Sequence, residues 1–382
     1  MKFVLFYHSL VSDWNHGNAH FLRGFASELI ARGHSVDIYE PADGWSRKNL
    51  LAECGDMALK AFSVRFPKLR SRLYDAASLD LDRVLDGADV VIVHEWNEPE
   101  LVARIGRHHR GADRQQLLFH DTHHRSVTAP GEMRRYELGD YDGVLAFGDA
   151  VRRRYVENGW CERAWTWHEA ADVRVFHPSP PGIREGDLIW IGNWGDGERA
   201  RELDEFLVEP AASLGLAASV YGVRYPESAR TALERAGIRY RGWLPNACVP
   251  SAFARFRATV HVPRRLCAEA LPGIPTIRMF EALACGIPLV CAPWDDVEGL
   301  FTPGADYLVA SDGADMRRKL HAVLHDEALA ARLAARGLRT IRARHTCAHR
   351  VDELLGILDA RGVGRRRAAA TAPTRPLAAA GT

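Results

Sequence analysis

Residues 272–286, PGIPTIRMFEALACG, set a Gly/Pro turn against a short helix that carries one acid, Glu281, and stops at Gly286. A helix that begins in a glycine loop directs unpaired N–H groups and a partial positive charge at whatever precedes it, and phosphate is the usual occupant. A carboxylate about one and a half turns further on accepts two hydrogen bonds, which suits a sugar hydroxyl. The spacing predicts a nucleotide-diphosphate cradle with a ribose hook. A core helix with Glu281 on its wet face satisfies the same pattern.

Three other groups hold residues able to do chemistry. The stretch Trp14-Asn15-His16-Gly17-Asn18-Ala19-His20 follows the first apolar run. Gly17 permits close backbone approach, so His16, Gly17, Asn18 and His20 are candidates for an acceptor or phosphate loop, with Asn18 equally suited to capping the next helix. In Phe119-His120-Asp121-Thr122-His123-His124, an Asp beside His120 can orient its imidazole as a general base or hydroxyl positioner, and His123 is the second candidate. Three His in five residues also suggest metal, but their spacing matches no familiar zinc pattern. In the third group Gly192 and Asn193 open a glycine-rich turn that ends near Arg199. The helix dipole disfavours a cation in a first turn, so an anionic partner would explain Arg199; an ordinary surface arginine is the alternative.

Two further patterns are discounted. Asp80-Leu81-Asp82 imitates a metal-binding DxD but precedes a strand and reads as a solvated helix. His345, Cys347 and His349 sit in a helical tail without a fourth ligand in view.

The elements that must position these groups alternate. Residues 2–7 read as a strand, 9–18 as a polar loop, 19–31 as a helix with Phe21, Leu22, Phe25, Leu29 and Ile30 on one face, and 35–39 as the next strand. Residues 89–94, 116–120 and 143–147 continue the series. A second series runs through 188–191, a helix from about 198, and strands at 218–221, 238–241, 258–262, 288–292 and 307–310. Strands separated by helices imply an α/β chain with two doubly wound parallel sheets, whose ligands sit beyond the carboxyl ends of the strands. The expected organisation is an N-terminal domain over 1–175, a C-terminal domain over 176–340, a final helix over 341–361 packing back on the N-terminal domain, and a disordered tail over 362–382. The Pro-rich stretch 177–181 lies at the junction.

At 382 residues the chain favours two domains over one. Lys+Arg 50 against Asp+Glu 49 leaves a net charge of +1, so no global field argues for nucleic acid or an anionic membrane. Seven cysteines without regular spacing read as reduced thiols of a cytoplasmic protein. The apolar run 3–7 is too short for a signal segment, and nothing approaches the roughly 18 apolar residues of a membrane span, so any membrane contact would be peripheral.

Four segments in order resemble the GT-B glycosyltransferases of the group 1 type, and within them the CgeB-like branch, related to a spore maturation protein. They are WNHGNAHFLRG with its RGHSV turn, the junction 169–178 (EAADVRVFHP), IGNWGDGER, and GIPTIRMFEALACG. The junction is similar to the group's NGVDxxxFxP, with Asp172, Phe176 and Pro178 in register. The resemblance implies two facing Rossmann-like domains with an interdomain cleft, and a nucleotide sugar held mainly by the C-terminal one. It implies that Glu281 binds ribose, that Gly273, Ile274, Pro275 and Thr276 give amides to the diphosphate, and that Arg199 neutralises the leaving phosphate. It further implies that Trp243 and Leu244 flank the base and that His120 is the catalytic-site His.

One departure stands out. The group usually carries a second Glu eight residues before the ribose-binding one, in contact with the donor sugar; here that position is Gly273. Sugar recognition then falls to other groups, with Glu269, His261 and Arg264 as candidates. The expected activity is transfer from a nucleoside-diphosphate sugar to an unspecified acceptor, without metal or other cofactor. A 2-epimerase of the same fold and a non-catalytic nucleotide-sugar binding protein are the alternatives.

Overall fold

A computed structural model describes residues 1–110, 115–180, 182–195, 197 and 199–362. The expected tail, from 363 onward, lies outside the described residues. Seven parallel strands form the first sheet: β1 (Lys2–Phe6), β2 (Ser35–Pro41), β3 (Ser71–Tyr74), β4 (Val90–His94), β5 (Gln116–Asp121), β6 (Gly143–Ala146) and β7 (Ala164–Thr166), in the order β3-β2-β1-β4-β5-β6-β7. The second holds β8 (Leu188–Ile191), β9 (Ala218–Tyr221), β10 (Arg239–Tyr240), β11 (Ala258–His261), β12 (Leu289–Cys291) and β13 (Leu308–Val309), in the order β10-β9-β8-β11-β12-β13. β4, β5, β6, β8, β9, β11 and β12 are buried along their whole length, as strands covered by helices on both faces must be. Strand order reverses beside β1 and again beside β8. The two switch points, β1/β4 and β8/β11, are where such sheets open a crevice.

β3 and β7 were not expected. Each is an edge strand of four or three residues, SRLY and AWT, partly exposed and without the apolar run that marks the central strands. The helix expected from about 198 begins at Ala200. Asp80 is the N-cap of Leu81–Leu85, its carboxylate accepting from the Arg83 amide at 3.1 Å. The expected final helix is interrupted: Glu327–Arg344 ends before His345, and Cys347–Ala360 starts afresh from a capping box between Thr346 and His349. His345 bridges Leu300 O at 2.8 Å and Arg350 at 3.0 Å. No helix of the described residues is long and apolar enough to cross a membrane.

Cys347–Ala360 returns to the first sheet and packs on the helix Ala19–Ala31. Trp167 donates its indole N–H to Arg350 O at 2.9 Å, and Arg361 pairs with Asp142 at 2.6 Å. The close approach depends on Gly24, where an added Cβ would stand 2.5 Å from Cys347 Sγ and 2.6 Å from Asp172 Cβ.

The two lobes meet through His20. The Asp172 amide can only donate, so His20 Nε2 accepts it at 2.8 Å; Nδ1 then carries the proton and donates to Glu281 Oε1 at 3.0 Å. The imidazole stacks on Phe176 with centroids 3.8 Å apart. Arg278 takes the other Glu281 oxygen. Nearby, the Asn246 amide donates to Asp13 at 3.0 Å, Asn193 donates to Asn15 at 2.7 Å, and Arg264 meets His124 at 3.0 Å.

Burial opposes ionisation of Glu281, but Arg278 and the hydrogen bond from His20 outweigh it and hold its carboxyl below the ordinary 4.5. A carboxyl more acidic folded than unfolded stabilises the fold above about pH 4.5, and that contribution is lost as pH falls through the depressed value. Glu281→Gln is expected to cost about 3 kcal/mol at neutral pH and to flatten the acid limb of a stability profile followed by denaturant unfolding. Gly24→Ala is expected to cost roughly 1–3 kcal/mol by overpacking, read as a lower midpoint at unchanged m-value.

Candidate active site

The carboxyl edges of both sheets face one cavity of about 1250 Å³. Its N-terminal wall starts with the loop after β1. The Leu10 and Val11 amides donate to the buried Glu40 carboxyl, and the Arg23 guanidinium reaches Leu10 O, Val11 O and Asp13 at 2.7–2.9 Å. Asn15 takes a left-handed conformation (φ 50°) that brings its amide to Asn193. Asn18 does not cap the following helix; its side chain donates to Thr122 Oγ1 at 2.7 Å, tying this loop to the end of β5. His16, Gly17, Asn18 and His123 all line the cavity, joined by His8 and Trp96.

The opposite wall comes from the loops after β8 and β11. Arg199 precedes the helix Ala200–Leu203, with its guanidinium folded back onto the loop. It bonds Asn193 O and Oδ1, reaches Val262 O at 3.4 Å, and lies 5.2 Å from the centre of the Trp190 ring. Gly195, at φ 76°, leaves room for this fold-back: a Cβ there would stand 3.2 Å from Arg199 Cγ. His261 links this group to the next loop, meeting Thr276 Oγ1 at 3.0 Å. Gly192, Asn193, Arg199, Trp243, Leu244, His261, Arg264, Ile274, Pro275 and Thr276 therefore share one wall.

Five expected residues lie elsewhere. His120 is 1% exposed and packs under the first helix against Phe21 and Trp167, with centroids 6.0 and 4.9 Å away, so it is not a cleft group. His20 and Glu281 are buried in the contact between the lobes, both carboxylate oxygens of Glu281 being engaged. Gly273 is turned away: its N–H donates to Asp295 O at 2.8 Å, and at φ 83° a Cβ would meet Glu298 at 2.8 Å. Ile274 N–H goes to Leu271 O, and Pro275 has none. The first turn of Ile277–Cys285 instead brings to the cavity leading N–H groups that the helix does not use, with Ile277 and Arg278 in the lining. Glu269 is exposed and outside the lining.

Electrostatics separate the two walls. Burial pulls His8 down to about 4 and His123 to about 2, so the N-terminal wall presents neutral imidazoles. Burial and then Arg199 bring His261 to about 3. Four buried polar atoms without a hydrogen-bond partner among the described residues belong to residues that line this cavity: His16 Nε2, His123 Nδ1, Trp243 Nε1 and Glu169 Oε1. Buried polar groups are normally satisfied, so these four are groups that a polar ligand would complete. Sequence reasoning missed Glu169, Arg278, Asn246 and Trp96. Glu169 was visible only as the first letter of the junction pattern, and Trp96 only as an aromatic after a strand.

Residues 199–356 match the family described as glycosyl transferase-like. No curated protein matches the chain. A sucrose-phosphate synthase from Thermosynechococcus elongatus superposes with a TM-score of 0.63 at 14% identity, over 94% of this chain and 99% of that one. Anabaena Alr3699/HepE in complex with UDP-glucose gives 0.65 at 12% identity, over 94% and 100%. An alpha-glucosyltransferase in complex with UDP and a 13-mer DNA gives 0.67 at 12% identity, over 94% and 99%. Two parallel sheets facing a cleft, matched across their length by these structures, give the chain the GT-B fold, and its C-terminal half carries the glycosyl transferase-like pattern.

Proposed function

We propose that the protein transfers a sugar from a nucleoside-diphosphate sugar, with UDP as the nucleotide, to an acceptor bound on the N-terminal wall. The carrying observation is the convergence of Arg199 and the N-terminus of Ile277–Cys285 on one cavity, joined through Val262, His261 and Thr276. Breaking the anomeric C–O bond leaves charge on the diphosphate. A guanidinium and helix amides stabilise that charge in a water-poor site, in place of a divalent cation. Trp243 and Leu244 supply the flat apolar surface that suits a base, and the UDP complexes of structures with the same fold support uracil.

On the acceptor side, His16 and His123 stay neutral and serve as hydrogen-bond partners for a hydroxyl. His123 takes the positioning role that His120 is too deeply buried to play. The four motif segments support a CgeB-like branch as the finer reading, and seven free cysteines are in keeping with a cytoplasmic setting.

UDP at about 100 Kd is expected to add ~2.7 kcal/mol of stability, read as a thermal shift. Arg199→Ala should lower kcat roughly a hundredfold, about 3 kcal/mol, while circular dichroism reports an intact fold. Turnover of a verified donor should survive a chelator. Full turnover by Arg199→Ala, or no shift with any nucleotide, overturns the reading.

A further inference from the structure

Four acids line the cavity: Asp13, Asp43, Glu98 and Glu169. Asp13 is committed to Arg23 and to the Asn246 amide. Asp43 and Glu98 are exposed at the rim. Glu169 alone among them is both buried, at 4% exposure, and left with a carboxyl oxygen, Oε1, that no group among the described residues satisfies. It sits on the segment that crosses between the sheets, between His168 and the Asp172 amide that His20 accepts.

The surroundings explain why a carboxyl is held there. At 273, which lies outside the cavity lining, the space a side chain would need is filled by Glu298, whose Oε1 lies 3.0 Å from a Cβ built on Gly273. Glu298 is itself fully engaged, accepting from the Asp149 amide at 2.9 Å and meeting His168 Nε2 at 3.0 Å. Glu281 is likewise engaged, by His20 and Arg278. Glu169, the next residue after His168, is the acid left over that faces the cavity.

Resting on the nucleotide-sugar reading, we propose that Glu169 is a donor-sugar contact, a carboxylic acid that hydrogen-bonds a hydroxyl of the transferred sugar and sets which sugar is accepted. A neutral carboxyl suits that task, because it donates through O–H and accepts through C=O, matching a hydroxyl in either sense. Burial, reinforced by Glu281 and opposed by Arg278, raises Glu169 to about 8, so it carries its proton at neutral pH. An acid kept protonated against its tendency in the unfolded chain works against stability there, as groups held for binding often do.

The test uses the full chain and compares binding of UDP with binding of UDP-glucose, UDP-galactose and UDP-N-acetylglucosamine by calorimetry, in wild type, Glu169→Gln and Glu169→Ala. The sugar should add affinity over UDP in the wild type. That increment should fall about tenfold in Glu169→Ala and less in Glu169→Gln, with UDP affinity unchanged and Glu169→Gln melting at or above the wild-type temperature at pH 7. An unchanged sugar increment in both variants, no increment in the wild type, or loss of UDP and sugar binding together with a lowered melting temperature overturns the role of Glu169. If wild type binds neither UDP nor any of the three sugars, the nucleotide-sugar reading falls as well.

Discussion

One imidazole sets the relation between the two sheets. His20 receives the Asp172 amide on one nitrogen and gives its proton to Glu281 on the other, so its tautomer and orientation are fixed by a donor that has no alternative role. A buried carboxylate is tolerable only when its charge is met, and Arg278 completes that requirement from the same helix. The contact joins the first helix, the crossing segment and the helix Ile277–Cys285. Those elements carry the loop after β1, Glu169 and the leading amides of Ile277–Cys285. With the contacts Asp13–Asn246, Asn15–Asn193 and His124–Arg264, that junction holds the two walls of the cleft against each other.

The junction and the cleft treat similar residues oppositely. Glu281 is buried, doubly engaged and held below the ordinary carboxyl range; Glu169 is buried, unsatisfied and raised to about 8. The first reads as architecture and the second as an unfinished contact. The same contrast divides the histidines. His345 has both nitrogens bonded at a helix junction, whereas His16 and His123 each leave a buried nitrogen unmet on the cavity wall. Polar satisfaction and access to the cavity together, more than residue type, separate these groups: His120 also leaves Nε2 without a partner among the described residues, but it lies outside the lining.

The fold was legible wherever a strand is fully buried, because continuous apolar runs such as VVIVH and LIWI have few other uses. Edge strands β3 and β7 were not, since short, half-exposed segments lack that signal. That His16, Asn18, Asn193 and Arg199 line one cavity was legible because Gly, Asn, His and Arg cluster after strands. The contacts of Glu281 were not legible: spacing gives its distance from the turn, while the direction it faces depends on how His20 from a distant helix packs against it. The burial of His120 was hidden for a related reason, since its end of β5 lies beneath Phe21 and Trp167. Glu169 sits in a crossing segment whose periodicity carries no information about which way a side chain turns.

The proposed function requires a nucleotide-sugar site at the facing edges of the two sheets, centred on Arg199 and the start of Ile277–Cys285. Backbone hydrogen–deuterium exchange with and without UDP tests this most directly. Slowed exchange at the amides of Asn193, Ile277 and Arg278 is the predicted result. Bound UDP that leaves these amides unchanged, or protects a different surface, would contradict it.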